Sequence, residues 1–320
     1  MAKSFLDILV LAYNNFETLT RPCLESLLID LPGCAEDVAI SVLDNASPDG
    51  SGQDMLVWAR KYPFVQVTAS KKNLGFAGGM NSLAEQGSGE WLLLANNDTC
   101  FAKGALPRLV EVLKTCPSEV GLVGPITNAA GNAQHYDFGA DSKEEILLKG
   151  AALVANPTGM LIPSYRIDFF CAAIRRRVWE KLNGLDRSFG LGYYEDFDFS
   201  LRAKQAGSKL VITEDVFVWH KGGAAFSASA GQKRLIKENK KKFLKLHPEA
   251  MLPHRRHENL RALCWYAENQ IDKSVAGAYF LRSRYRQNML ISDLPRGLIK
   301  RFLWKLKISR LNLKLPQKPN

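Results

Sequence analysis

Residues 5–15 read FLDILVLAYNN, an apolar run from Phe5 to Ala12 closed by the polar triplet Tyr13-Asn14-Asn15. A strand that is apolar on both faces belongs inside a sheet covered on both sides. The pattern recurs at Val38–Leu43, Phe64–Thr68 and Trp91–Ala95. Helical spacing fills the intervals, near 16–29, 51–61, 78–86 and 103–115. Strands alternating with helices predict an α/β fold built on a mostly parallel sheet. Pro22 falls inside the first helical pattern, so that helix kinks or starts later.

In such sheets ligands bind outside the carboxyl ends of the strands. The residues that follow each run are therefore the informative ones: Tyr13-Asn14-Asn15, Asp44-Asn45-Ala46-Ser47, Lys72-Asn73-Leu74-Gly75-Phe76 and Asn96-Asn97-Asp98. Any one of these clusters reads as a turn. Four at corresponding strand ends make a site the better reading.

Further along, residues 126–170 have weak periodicity and predict loops and short strands. A helix is expected over Arg175–Leu182, followed by GLDRSFGLGYYEDFDFSLRAKQAG and the strand-like VITEDVFVWH. From about residue 227 the sequence is helical and basic, which places a boundary near 225 between a catalytic part, 1–225, and a mainly helical extension, 226–320. No internal repeat interrupts this order.

The 320 residues are 46% hydrophobic and 23% charged, which excludes wholesale disorder, collagen and a small disulfide scaffold. The formal net charge of +11 is unevenly distributed. Residues 221–320 hold 23 basic and 6 acidic side chains, a net of +17, leaving residues 1–220 at −6. Six cysteines without CxxC spacing read as buried thiols of a reducing compartment, not a zinc site. The N-terminal apolar run lacks the flanks of a signal peptide, and no run approaches the ~20 apolar residues of a spanning helix. A cytoplasmic protein is expected, peripheral at most to the inner face of the membrane.

Four constellations could carry chemistry. Asn96-Asn97-Asp98 can hold a hard divalent cation on a diphosphate, or simply form an Asx turn and helix cap. Glu195-Asp196-Phe197-Asp198 opens a helix through Ala206, with Asp198 and Arg202 at pairing distance in sequence. Three acids suit a helix dipole, yet one would suffice, and Tyr193-Tyr194 before them suggest a binding edge. A carboxylate on a rigid helix start can serve as general base. His220 ends an apolar strand, where a neutral imidazole can ligate metal; Lys221-Gly222-Gly223 after it allow an anion to approach, or form a turn. Asn73–Asn81 carries three glycines at a strand-to-helix turn, able to present N–H groups to phosphate. Its spacing is neither a Walker A loop nor GxGxxG, which disfavours an NTPase and a dinucleotide-dependent dehydrogenase.

The ordered set DILVLAYNN, VLDNASPDGS, NLGFAGGMN, LLLANNDT, YYEDFDFSLRAKQAG and VWH resembles the family 2 glycosyltransferases, nearest to bacterial rhamnosyl- and galactofuranosyl-transferases of surface polysaccharide assembly. The resemblance covers roughly residues 5–225. It implies a GT-A fold with a nucleotide-sugar donor across the strand ends. Asp44 and Asn45 match the nucleobase contact, with Ala12, Tyr13 and Asn14 lining the same pocket. Asn73, Gly75, Phe76, Gly79 and Asn81 would sit near nucleoside and sugar, and Asn96 and Asn97 beside the diphosphate. Asp98 matches the surviving carboxylate of the DXD motif, Asp196 the catalytic base, and His220 a metal-contacting position. Tyr194, Glu195 and Arg202 would shape the acceptor side. Asn96 stands where the motif carries its first acid, so a Mg²⁺ or Mn²⁺ ion would be held by fewer charges.

The function so implied is inverting transfer of rhamnose or a similar hexose, from a dTDP- or UDP-sugar to a glycan or polyprenyl-diphosphate-linked acceptor, in O-antigen, capsule or cell-wall synthesis. Two rivals remain. A nucleotidyltransferase shares the sheet and acidic metal site but needs no acceptor-side base. A non-catalytic basic module would use Leu298, Ile299, Phe302, Leu303 and Leu306 on one helical face, ringed by Lys300, Arg301, Lys305 and Lys307, against an anionic membrane surface. Trp304, Ile308 and Leu311 fall elsewhere on that helix, and packing on the catalytic part explains it equally well. The basic residues carry no nucleic-acid-binding signature.

Overall fold

A computed structural model describes residues 4–222, 230–269, 275–312 and 315; Gly223 and the expected boundary near 225 lie outside the described residues. Four strands, β1 (Leu6–Ala12), β2 (Val38–Asp44), β3 (Val65–Ala69) and β4 (Trp91–Asn96), lie parallel in the order β3-β2-β1-β4. Ala12 faces Asp44 and Leu11 faces Asn96, so the polar clusters meet on one edge of the sheet. The helices between them are α1 (Arg21–Asp30), α2 (Ser51–Ala59), α3 (Gly75–Ala84) and α4 (Ala105–Thr115). Pro22 lies in the first turn of α1, where its missing N–H has no partner to lose. A π-helical turn, Phe16–Thr20, precedes it.

Beyond β4 the sheet is mixed. β5 (Thr99–Phe101), β6 (Val120–Ile126), β7 (Leu161–Pro163), β8 (Cys171–Arg175) and β9 (Lys209–His220) continue it as β4-β8-β6-β9-β5, with β7 on β9. Here β6 and β9 pair parallel, and the remaining pairs are antiparallel. β8 runs antiparallel to both β4 and β6. It enters after a long excursion instead of a helical crossover, and so is free to run the other way. β6 is buried throughout, but its glycines and Pro125 disguise it in the sequence. The excursion also contains a helix where loops were expected, α5 (Lys143–Val154), capped by Ser142 Oγ accepting the Glu145 N–H at 3.1 Å. Only Gly150 and Val154 of α5 are buried, too few to print a helical period.

Helices α6 (Arg176–Lys181) and α7 (Glu195–Gln205) precede β9; α8 (Ala230–Leu246), α9 (Arg255–Glu268), α10 (Ala276–Ser292) and α11 (Leu298–Asn312) follow it. The last three build a small second core, in which Ile162 meets Leu260, Leu263, Tyr266, Tyr279, Leu290 and Ile308. Polar groups anchor this core to the sheet. Glu214 and Asp215 of β9 are buried, and an unpaired buried carboxylate would be strongly destabilising. Arg286 Nε donates to Glu214 Oε1 at 2.7 Å, and Arg282 pairs with Asp215. The Tyr285 and Tyr136 rings stack at 3.9 Å. The extension is therefore packed on the sheet, and two of its excess cations are used in the packing. None of the six cysteines forms a disulfide, and five are buried.

Candidate active site

At the edge where β1 and β2 end, side chains lace the two strands together. Asn14 and Asn15 take left-handed φ of 59° and 55°, which asparagine tolerates better than most residues. The Asn14 N–H donates to Ser47 Oγ at 2.8 Å, and Ser47 Oγ donates to Asp44 Oδ1 at 2.5 Å. The Asn45 N–H donates to Ala12 O at 2.8 Å. Asn45, itself buried, extends the lacing: its Nδ2 donates to Asn73 Oδ1 at 3.2 Å and its Oδ1 accepts the Leu74 N–H at 2.8 Å. Ala12, Asn14, Asp44, Asn45, Asn73 and Gly75 are thus brought together, with the Tyr13 ring standing 44% exposed above them.

Two glycines of the Asn73–Asn81 stretch are required by close packing. Gly75, at φ +69°, lies so close to Gly190 O that a Cβ would collide with it. It lets the 73–76 turn abut the turn that leads into α7. Gly79 lies where a Cβ would strike Leu11 of β1, and Asn81 exchanges two 2.9 Å hydrogen bonds with the Leu185 backbone. Both contribute to packing inside the fold. Phe76 packs against the main core at the first turn of α3.

Asn96 ends β4, and Asn97 and Asp98 after it diverge. Asn97 Nδ2 donates to Thr20 Oγ1 at 2.9 Å, toward α1. Asp98 faces β9 instead, because β5 pairs antiparallel with β9 and sets Thr99 opposite His220. His220 Nε2 lies 3.4 Å from Asp98 Oδ1, while its Nδ1 sits 3.0 Å from Ala129 O and its ring stacks on Phe170. Burial alone would lower the His220 pKa, but Asp98 outweighs it and the net direction is upward. An imidazole fixed through Nδ1 on a carbonyl, with Nε2 beside a carboxylate, suits a divalent cation. Among the described residues no third His, Cys, Asp or Glu joins them. The donor set fits a cation whose remaining ligands come from a substrate or water.

The turn into α7 is strained: Tyr193 and Tyr194 have φ of 73° and 74°, unusual for bulky residues. It delivers Glu195 and Asp196 to the first turn of the helix. Glu195 is buried, and among the described residues its Oε2 has no hydrogen-bond partner. Burial, then the Asp196 charge, pushes the Glu195 pKa up. Asp196 is partly open to solvent; burial and the Asp168 carboxylate push its pKa up, with Arg166 opposing. The Asp168 carboxylate also raises the His220 pKa, after Asp98 and the Ala129 carbonyl. The expected Asp198–Arg202 pair forms at 2.7 Å, and Arg202 continues to Leu182 O and Gly184 O.

Sequence reading missed what holds this turn. Asn239 of α8 donates through Nδ2 to Phe189 O, Gly192 O and Tyr193 O at 2.8, 2.8 and 3.1 Å. Phe243 packs its ring against Tyr194 and Phe197, and His247, just past α8, places Nε2 2.7 Å from Asp198 Oδ1. These three recur every fourth residue and share one helical face; the stripe was legible, but its partner was not. A second brace runs from α9: Glu258 lies 3.5 Å from Arg166, which pairs with Asp168 at 2.8 Å and stacks over Phe197 at 4.2 Å.

Residues 7–181 match the family model described as Glycosyl transferase family 2. The uncharacterized protein Rv1525 of Mycobacterium tuberculosis is 28% identical over 210 residues, covering 62% of this chain and 75% of that protein. The uncharacterized protein Mb1552 of Mycobacterium bovis is similar to the same extent, 28% over 210 residues and the same shares. Among solved structures, the Pyrobaculum calidifontis mannosyltransferase PcManGT, in complex with GDP-Man and Mn²⁺, is similar with TM-score 0.53 and 15% identity, over 97% of this chain and 81% of that one. TarS 1–349 of S. aureus, in complex with UDP-GlcNAc, is similar with TM-score 0.52 and 14% identity over the same shares. At those identities the likeness is one of fold.

Proposed function

The chain belongs to glycosyl transferase family 2, and on that premise we propose that it moves rhamnose or a similar hexose from a dTDP- or UDP-sugar to a hydroxyl of a glycan or polyprenyl-diphosphate-linked acceptor. The setting proposed is bacterial surface polysaccharide assembly at the cytoplasmic face of the membrane, by an enzyme of the rhamnosyl- and galactofuranosyl-transferase-like subgroup. The observation that carries the reading is a partly exposed carboxylate, Asp196, in the first turn of α7, beside Phe197 on which Arg166 stacks at 4.2 Å, with the Asp98–His220 pair held at 3.4 Å and the His220 ring stacked on Phe170. The ligands of the two similar structures, GDP-Man with Mn²⁺ and UDP-GlcNAc, support a nucleotide-sugar donor.

In the proposed reaction Asp196 accepts the proton of the acceptor hydroxyl as that oxygen attacks the anomeric carbon. The bond from that carbon to the diphosphate breaks, and the nucleoside diphosphate leaves with the electron pair, inverting the centre. A raised pKa improves a carboxylate as a base near neutral pH. Asp44, Asn45 and Tyr13 would bind the nucleobase end, and the Asn73–Gly75 turn would border the sugar. Asp98 and His220 would hold a Mg²⁺ or Mn²⁺ ion, which supplies compensation for the negative charge of the diphosphate. With Asn96 as an amide, this chain brings one carboxylate to that task. Residues 1–225 are the proposed catalytic part and 226–320 its extension.

A screen of nucleotide sugars for release of nucleoside diphosphate tests the reading. Asp196→Asn should lower turnover by roughly 10²–10⁴-fold, as loss of a general base does, with donor binding retained. Release of pyrophosphate would assign a nucleotidyltransferase, and unchanged turnover would remove Asp196 as base.

A further inference from the structure

The packed face of α11 is the one formed by Trp304, Ile308 and Leu311, which join the second core. At ~100° per residue the five residues Leu298, Ile299, Phe302, Leu303 and Leu306 fall on the opposite side. They are 85, 77, 62, 58 and 40% exposed, a continuous apolar stripe held outward by the packing behind it. Single exposed apolar residues are ordinary, but a contiguous stripe marks an interaction surface. Lys305, Lys307 and Arg310 lie within or beside it, and α11 contains no acid. Residues 221–320 around it carry 23 basic against 6 acidic residues.

The chemistry of the stripe selects among occupants. It offers apolar side chains and cations, and none of the amide or carboxyl groups that fix a protein partner in one register. A second copy of this chain would bring the same cations to the contact, and like charge would oppose it. Nucleic acid would use the cations but leave five large apolar side chains in water. An anionic bilayer takes both, the apolar side chains below its headgroups and the cations among its phosphates. No helix among the described residues is long and apolar enough to cross a membrane, so the contact is with the surface.

We infer that α11 is a membrane-surface helix, lying in the interface of an anionic bilayer with Leu298, Ile299, Phe302, Leu303 and Leu306 submerged. This goes beyond the transfer reaction and does not depend on it. It would bring the acceptor side of the site to a lipid-linked substrate.

The test is co-sedimentation of the full chain with phosphatidylglycerol-containing vesicles and with neutral phosphatidylcholine vesicles. The wild type should bind the anionic vesicles, and less so as salt rises. The double variant F302E/L303E should reduce the partition coefficient at least about tenfold, since each side chain loses its apolar burial. K305E/K307E should weaken binding to anionic vesicles alone. L298S/I299S, at the two most exposed positions, serves if the first variant folds poorly, and Phe302→Trp should show a blue-shifted emission on vesicles. Equal binding by wild type and stripe variants, no binding by the wild type, or a dimer in solution that the stripe variants dissociate would each overturn the inference.

Discussion

Helices α8 and α11 look alike as text: both are lysine-rich, both carry an apolar stripe, and both lie in the strongly basic extension. Their surroundings are opposite. The stripe of α8 continues past its end as Asn239, Phe243 and His247, and each finds a particular group in the turn before α7 or in the first turn of α7. The outward stripe of α11 stands 40–85% exposed among the described residues. What separates them is polarity within the stripe. An amide and an imidazole buried in an apolar face demand partners at fixed positions, and so specify one protein surface. A wholly apolar stripe rimmed with cations is non-directional, and suits a fluid surface. The same net charge therefore covers an anchor and a contact face.

The comparison breaks first if the extension is not anchored. Arg286 and Glu214 are fully buried, so removing one partner leaves a charge without compensation. Arg286→Met should destabilise the chain by about 3–5 kcal/mol. Adding Glu214→Gln should recover much of that loss, because the stranded carboxylate is then gone. Denaturant titrations of both variants measure this. An unchanged midpoint in the single variant would mean that the helices after β9 contribute little to the fold.

A smaller effect should appear at the end of α8. Asn239→Ala deprives three carbonyls of their donor, a cost of about 1–3 kcal/mol for groups left unsatisfied. The strain at Tyr193 and Tyr194 should then relax and move Asp196. Turnover should fall about tenfold or more while the donor KM changes little. Phe243→Leu, which keeps an apolar filling but loses the ring contacts, should fall between Asn239→Ala and wild type. If KM rises and kcat holds, the turn positions donor and not base.

The sequence made the parallel half of the fold legible because its strands are apolar on both faces and each ends in a polar cluster. It hid β6 behind Gly121, Gly124 and Pro125, and α5 behind a mostly exposed surface. In the site, Asp98 and His220 were readable from their positions at strand ends, and so was the Asp198–Arg202 spacing. The packing duty of Gly79 against Leu11 was not legible, because a glycine that permits helix–strand packing is written like one that admits a phosphate. The Asn239, Phe243 and His247 contacts reach back 46–50 residues, and no local pattern encodes a partner that distant.

The brace from α9 gives a third, smaller test. Asp168 raises the Asp196 pKa and Arg166 opposes it. Asp168→Asn removes the first and frees the second, so both changes lower the pKa of Asp196. A base with a raised pKa loses activity as pH falls through that value. The acidic limb of the kcat/KM profile should therefore lie above the ordinary carboxylate range, and move to lower pH in Asp168→Asn. A limb that stays in place would show that Asp168 does not set the protonation of the base.

The smallest effect belongs to the outward face of α11. Leu298 and Ile299, 85% and 77% exposed, touch little, so L298S/I299S should alter stability by no more than about 0.5 kcal/mol. Turnover with a soluble acceptor should be unchanged, since α8 and α9, not α11, hold the turn before α7. With an acceptor embedded in phosphatidylglycerol vesicles the variant should need more acceptor to reach the same rate. That near-silence in solution is the informative part: a stripe that stabilised the fold could not be made polar without cost, whereas one exposed for a membrane can.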